Sequence, residues 1–242
     1  MSGALLSVQG IGKCFGGFVA LQNVSFALKP GEKLGIIGPN GSGKTTLINC
    51  ISGSLRNDQG QVLFDGRDVS KLDPHQRLRR GIARSFQIPR PFHRMSVIEN
   101  LYVPLEYNGD RSAAAAGSLR EQAYAILEKF GIAAKADARS GSLSQVELRK
   151  LELARAIAGR PRLLVSDEAL AGLSTHEVDE VLDILFRLAD EGITVIMIEH
   201  IMRAIMRFSD TVICLVAGQL IASGTPGDIV KNPDVEKAYF GG

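Results

Sequence analysis

Eight residues, Gly38-Pro39-Asn40-Gly41-Ser42-Gly43-Lys44-Thr45, constrain this chain more than any other stretch. They fit the spacing G-x-x-x-x-G-K-[ST]. Before them, Lys33-Leu34-Gly35-Ile36-Ile37 reads as a short buried strand; after them, Thr46-Leu47-Ile48-Asn49-Cys50-Ile51 reads as the first turns of a helix. The chain must therefore be built around a strand, a tight glycine-rich loop and a helix. Glycines strip side chains from the loop, so that backbone N–H groups can cradle an anion rich in oxygens. The start of the helix turns the positive end of its dipole to the same place. Lys44 adds a point charge suited to the outer phosphates of a nucleoside triphosphate, and the Thr45 hydroxyl is a ligand for Mg²⁺. The candidate phosphate-binding residues are Gly38, Asn40, Gly41, Ser42, Gly43, Lys44, Thr45 and Thr46.

Composition narrows the setting. The 242 residues suffice for one large domain or for a core with a subdomain. A hydrophobic content of 45% with 22% charged residues is ordinary for a soluble globular protein, and a formal net charge of +2 makes no general case for nucleic acid. No uncharged apolar run reaches the roughly 18 residues of a membrane span. The start, residues 1–6, lacks the basic segment and long apolar run of a signal peptide. Cys14, Cys50 and Cys214 are scattered, which predicts reduced thiols in a cytosolic protein, with Cys50 and Cys214 in the core.

Residues 5–26 alternate apolar and polar around Gly16-Gly17 and predict two antiparallel strands. Further strands are expected at 60–64, 82–86, 163–166, 193–198, 211–216 and 219–222. Helices are expected at 74–80, with Asp73 as N-cap and Pro74 at the first position, and at 175–189 and 202–208. The middle, 89–159, changes character: helical patterns at 96–107, 119–130 and 144–158 follow one another, and the alanine tract 113–116 reads as a variable connection. Strands alternating with helices imply a mostly parallel sheet covered on both faces, with the helical middle inserted into it.

The strand at 163–166 runs into Asp167 and Glu168. In a parallel sheet that end faces the ligand crevice. Asp167 is placed to hold Mg²⁺, directly or through water. Glu168 is placed to orient and deprotonate an attacking water, a role worth about 10²–10⁴ in rate. His200 follows Glu199 at the end of the strand at 193–198, on the same side, positioned to hydrogen-bond the phosphate or the water. Gln87 closes the strand at 82–86, within reach of Mg²⁺ or the water.

Taken together, these residues resemble one family, the ATP-binding cassette ATPases, over nearly the whole chain. The resemblance implies an α/β fold: a P-loop NTPase, RecA-like core, an N-terminal antiparallel β subdomain, and an inserted α-helical subdomain. The core and β subdomain would take 1–88 and 160–242, and the helical subdomain 89–159. It further implies that Phe15 stacks on adenine, that Gly38 to Thr45 form the Walker A loop, and that Gln87 belongs to the Q-loop. Residues 163–167 match Walker B, Glu168 the catalytic glutamate, Ala171-Gly172-Leu173-Ser174 the D-loop and His200 the switch histidine. Such domains work as head-to-tail dimers, each ATP lying between one subunit's Walker A and the other's signature motif. Within the family the chain is similar to the ATPases of branched-chain amino acid importers. The segments that carry this are Ala83-Arg84-Ser85-Phe86-Gln87, Met95-Ser96-Val97-Ile98-Glu99-Asn100-Leu101, Leu151-Glu152-Leu153-Ala154-Arg155-Ala156, Ile198-Glu199-His200 and Asn232-Pro233-Asp234-Val235, leading to Ala238-Tyr239. The lipopolysaccharide-export ATPase shares several of them. The implied partners are a second ATPase subunit, membrane permease subunits and, indirectly, a periplasmic or extracellular solute-binding protein. The implied place is the cytoplasmic face of the membrane.

The departures are as informative. Where the family signature is Leu-Ser-Gly-Gly-Gln, this chain has Leu143-Ser144-Gln145-Val146-Glu147. Ser144 remains at a helix start, where its N–H and hydroxyl suit a γ-phosphate. Val146 hinders close backbone approach, and Glu147 brings negative charge towards an anion. Ala169 and Ser174 also stand where the family differs. The Walker side is complete and the surface offered to a partner's ATP is weakened, which favours a heterodimer over a homodimer. Two expectations compete: a same-fold ATPase serving export, such as lipopolysaccharide transport, or a soluble task; and a nucleotide-binding regulatory subunit that hardly hydrolyses ATP, which Glu168 and His200 oppose. Arg77, Arg79, Arg80, Arg84, Arg90 and Arg94 form a basic stretch. Without an aromatic platform it reads as a solvated face, or as a groove near Gln87 for a permease helix, rather than a nucleic-acid site. Arg149, Lys150 and Arg155 are expected at the surface of the helix at 144–158.

Overall fold

The computed structural model describes residues 3–86, 89–108 and 117–240. β1 (Leu6–Phe15) and β2 (Phe18–Leu28) pair antiparallel across Gly16-Gly17, where Gly16 takes a φ of 58°. β3 (Lys33–Ile37) is buried along most of its length and feeds the glycine-rich loop, from which α1 (Lys44–Ser52) leaves. There follow β4 (Gln59–Phe64), β5 (Arg67–Asp68), α2 (Pro74–Arg79) and β6 (Ile82–Ser85). Asp73 caps α2 in a capping box with Gln76, as the sequence predicts. The elements described between β6 and β7 are helical: α3 (Glu99–Asn108), α4 (Leu119–Lys129), α5 (Gln145–Ala158) and two short 3₁₀ turns. Strands and helices then alternate through β7 (Leu163–Asp167), α6 (Thr175–Asp190), β8 (Thr194–Ile198), α7 (Met202–Phe208), β9 (Thr211–Val216) and β10 (Gln219–Gly224). The chain closes on α8 (Pro226–Val230) and α9 (Pro233–Phe240).

Two sheets result. The first is antiparallel, in the order β2-β1-β4-β5. The second runs β10-β9-β3-β8-β7-β6; it is parallel from β9 to β6, and β10 pairs antiparallel at its edge. The parallel strands are mostly apolar because both faces are covered. One face meets α1 and the antiparallel sheet through Leu34, Ile36, Ile48, Val165 and Ile196. The other meets the helices through Leu164, Met197, Leu185, Leu151 and Phe208. The C-terminal ends of β3, β7 and β8, three neighbouring strands, therefore open on one crevice. Among the described residues, no helix is long and apolar enough to cross a membrane.

The basic stretch does not behave as one solvated face. Arg77 is 1% exposed. Its guanidinium donates to the carbonyls of Cys50 and Ile51 at the end of α1 and to those of Ser70 and Leu72. Burial pushes its pKa down to about 10. Arg149, expected at the surface, is 7% exposed and donates to the carbonyl of Ala171 at 3.4 Å. Backbone carbonyls supplied largely by other elements make these burials tolerable, and no local pattern announces them. Gln87 and the tract 109–116 lie outside the described residues.

Candidate functional site

Most of the predicted residues meet in one cleft of about 270 Å³. It is lined by Phe15, Asn40, Gly41, Ser42, Gly43, Lys44, Thr45 and Thr46 together with Glu168 and His200, and by Phe18 and Ala20. Chain topology explains the meeting, since the loop follows β3 and the two distant residues follow β7 and β8. Phe15 stands at the rim, 48% exposed, a flat apolar face open to a planar ring.

The loop is shaped by its glycines. Gly41 (φ 78°) and Gly43 (φ 102°) hold conformations that side chains resist. A Cβ on Gly38 would run into the carbonyl oxygen of Leu215, so the loop packs tightly against β9 on its inner side. A Cβ at Gly41 would meet nothing within 4 Å, which leaves the outer side free for a ligand. The Ser42 hydroxyl is buried and has no protein partner, a polar atom suited to a phosphate oxygen. Lys44 donates to the carbonyls of Gly38 and Pro39 at 2.7 and 3.1 Å. Burial holds its ammonium below the ordinary lysine value, and the negative charge of Glu168 works in the opposite direction.

Asp167 is 6% exposed and ends β7 beside the crevice. Its Oδ2 lies 2.6 Å from Arg84 on the neighbouring strand β6, and Arg84 also reaches Asn49 Oδ1 on α1 at 2.6 Å. Sequence reasoning placed Arg84 in a basic stretch and missed this pair. The signal lay in the sheet: β6 pairs with β7 with Arg84 opposite Val165, two residues before Asp167. For a divalent cation the donors on this chain are hard oxygens, the Asp167 carboxylate and the Thr45 hydroxyl, a set that suits Mg²⁺ once phosphate oxygens complete it.

Glu168 is one of the few non-glycine residues with a positive φ, 48°. Its N–H donates to the Ile198 carbonyl at 2.9 Å, and its Oε1 lies 3.0 Å from His200 Nε2. Strained backbone of this kind gathers at functional sites and survives only where the surroundings fix it.

Ser144 does not line the cleft. It is exposed at the start of α5, and its hydroxyl accepts from the Glu147 N–H in a capping box. Glu147 in turn accepts the Ser144 N–H at 2.8 Å and pairs with Lys135 at 2.6 Å. The charge feared near an anion is therefore matched by Lys135, while the Ser144 N–H is taken up by its own helix.

The family model described as ABC transporter matches residues 21–171. The high-affinity branched-chain amino acid transport ATP-binding protein BraF of Pseudomonas aeruginosa is 36% identical, over 100% of this chain and 99% of that protein. The corresponding protein LivG of Escherichia coli K12 is 35% identical over the same shares. Among solved structures, the ADP conformation of an ATP-binding cassette of an ABC transporter aligns with a TM-score of 0.89 at 32% identity, covering 99% of each chain.

Proposed function

The chain belongs to the ABC transporter family, and from that premise we propose that it is the ATP-binding and ATP-hydrolysing subunit of an importer for branched-chain amino acids or similar small polar solutes. Its fold is the P-loop NTPase core with an antiparallel sheet and added helices. The observation that carries the reading is the convergence of the loop residues with Glu168 and His200 in one cleft. The names of BraF and LivG support the class of solute. We divide the chain into 1–88 with 160–242 and the helical 89–159.

Each side chain has a task. Backbone N–H groups of residues 40–46 and the Lys44 ammonium neutralise the phosphates, and Phe15 stacks on the base. Thr45 and Asp167, with Gln87, would hold Mg²⁺, which supplies charge neutralisation between the outer phosphates. Glu168 accepts a proton from the water that attacks the γ-phosphorus as the bond to the β–γ bridging oxygen breaks. His200, 3.0 Å from the Glu168 carboxylate, orients that carboxylate and meets the γ-phosphate.

Two surfaces support the proposed partners. A second groove of about 320 Å³ has apolar walls formed by Leu78, Phe86, Val103, Pro104, Tyr107 and Ala156. We assign it to a cytoplasmic segment of the permease, and propose the cytoplasmic face of the membrane as the subunit's location. The second ATPase subunit would cover the cleft, its signature residues supplying what Ser144 would supply in return.

The test is Mg²⁺-dependent ATP hydrolysis and ATP binding by the purified chain, alone and with its permease complex, beside Glu168→Gln. The expected outcome is ATP binding by both proteins, with hydrolysis reduced at least about a thousandfold in Glu168→Gln. Failure of the unaltered chain to bind ATP would overturn the reading.

A further inference from the structure

Glu199 is a buried acid that the reaction described above does not use. It follows directly on β8, is 3% exposed, and sits between the strand and His200. A carboxyl group in that position is unfavourable unless it does something that an apolar residue cannot. Its Oε1 accepts the N–H of Leu170 at 2.9 Å, and Leu170 lies two residues beyond Glu168.

The geometry around this bond explains its value. The ladder between β7 and β8 ends at Asp167 opposite Ile198, and one more main-chain bond follows, from Glu168 N–H to the Ile198 carbonyl. There the backbone of Glu168 turns into the left-handed region, so the main chain cannot carry the ladder further. The Glu199 side chain supplies the next rung instead. One carboxyl thus joins the loop that carries Glu168 to the loop that carries His200, the two side chains that meet at 3.0 Å.

We propose that Glu199 is a positioning residue, whose carboxyl oxygen fixes the Glu168 loop to the His200 loop and so holds the attacking-water geometry. The acceptor oxygen matters in this role, and the negative charge does not. The surroundings agree. Burial, together with Glu168 and Asp167, raises the proton affinity of Glu199 to a pKa of about 7, while the Leu170 N–H and Arg149 from α5 oppose the rise. A group so poised accepts the Leu170 N–H whether or not it carries a proton on its other oxygen. The inference rests on the ATPase reading of the same cleft, and its test separates the two.

Glu199→Gln keeps an acceptor oxygen and removes the charge; Glu199→Met keeps the volume and removes the acceptor. With the acceptor gone, kcat should fall about tenfold or more while ATP affinity stays within about twofold, because only the reacting geometry is lost. Glu199→Gln should rescue kcat to within about threefold of the unaltered chain. Unchanged kcat in Glu199→Met, or equal losses in both variants, would overturn the proposal. Absence of ATP binding by the unaltered chain would instead overturn the ATPase reading. Amide hydrogen exchange of the unaltered chain gives a measurement independent of variant folding and of turnover. A Leu170 amide as protected as those of β7 supports the rung, and exchange at the rate of an open loop overturns it.

Discussion

At the scale of single residues, Glu199 makes a prediction beyond its place in the site. Its pKa of about 7 in the fold stands above the ordinary 4.5 of the unfolded chain. The folded state therefore binds more protons than the unfolded one between those values, and stability falls as pH rises through the interval. The penalty is absent below about pH 4.5, grows up to about pH 7 and is constant above, reaching roughly 3 kcal/mol. Glu199→Gln should accordingly be more stable than the unaltered chain at about pH 8 by up to that amount, and equal to it near pH 4.5. Urea denaturation across this range checks it; a difference that does not depend on pH would show that the buried carboxyl is not the cause. Residues also mark the limit of what the sequence tells. The phosphate loop and the two acids at the end of β7 were legible because glycine spacing and strand ends are local properties. The burial of Arg77 and Arg149 was not, because it depends on carbonyls from Cys50, Ile51 and Ala171, far away along the chain. The Arg84–Asp167 pair was hidden for the same reason, since strand adjacency decides it.

Among elements, the ones read correctly had a two-residue rhythm, a 3.6-residue rhythm or a short continuous apolar run between clear breakers. β5, with two residues, and α8, with five, are too short to show a rhythm. The last helix, α9, was visible only as a resembling segment. It matters because Tyr239 places its hydroxyl 2.6 Å from the buried N–H of Gly38, the first residue of the phosphate loop. Burial raises the pKa of this phenol above its ordinary value. Tyr239→Phe leaves that N–H without its acceptor and should cost about 1–2 kcal/mol of stability, read from denaturant midpoints. A variant as stable as the unaltered chain would mean that water replaces the hydroxyl at no loss.

For the whole molecule, the reading proposed above makes the cleft one half of an enclosure that a second ATPase subunit completes. The loop, Glu168 and His200 line the cleft, while Ser144 does not, and its N–H is engaged by Glu147. This asymmetry predicts that hydrolysis by the chain alone is slow, and that adding the companion ATPase subunit, with an intact signature, raises it about tenfold or more. The gain should vanish when Glu168→Gln is placed in this chain and survive when the same change is placed in the companion. Rates measured for the single and mixed subunits decide the matter; full activity of the chain alone would mean that Gln145 and Val146 are tolerated.

Arg77 gives the architecture a mechanical property. Four hydrogen bonds from one buried cation join the end of α1 to α2 and the turn before it, and α2 contributes Pro74, His75 and Leu78 to the apolar groove. The helix that begins at Lys44 and the wall of the groove are thus tied together by one side chain, with the phosphate loop at one end and the apolar groove at the other. On the reading proposed above, a permease segment seated in the groove would press on a wall that Arg77 ties to the helix behind the phosphate loop.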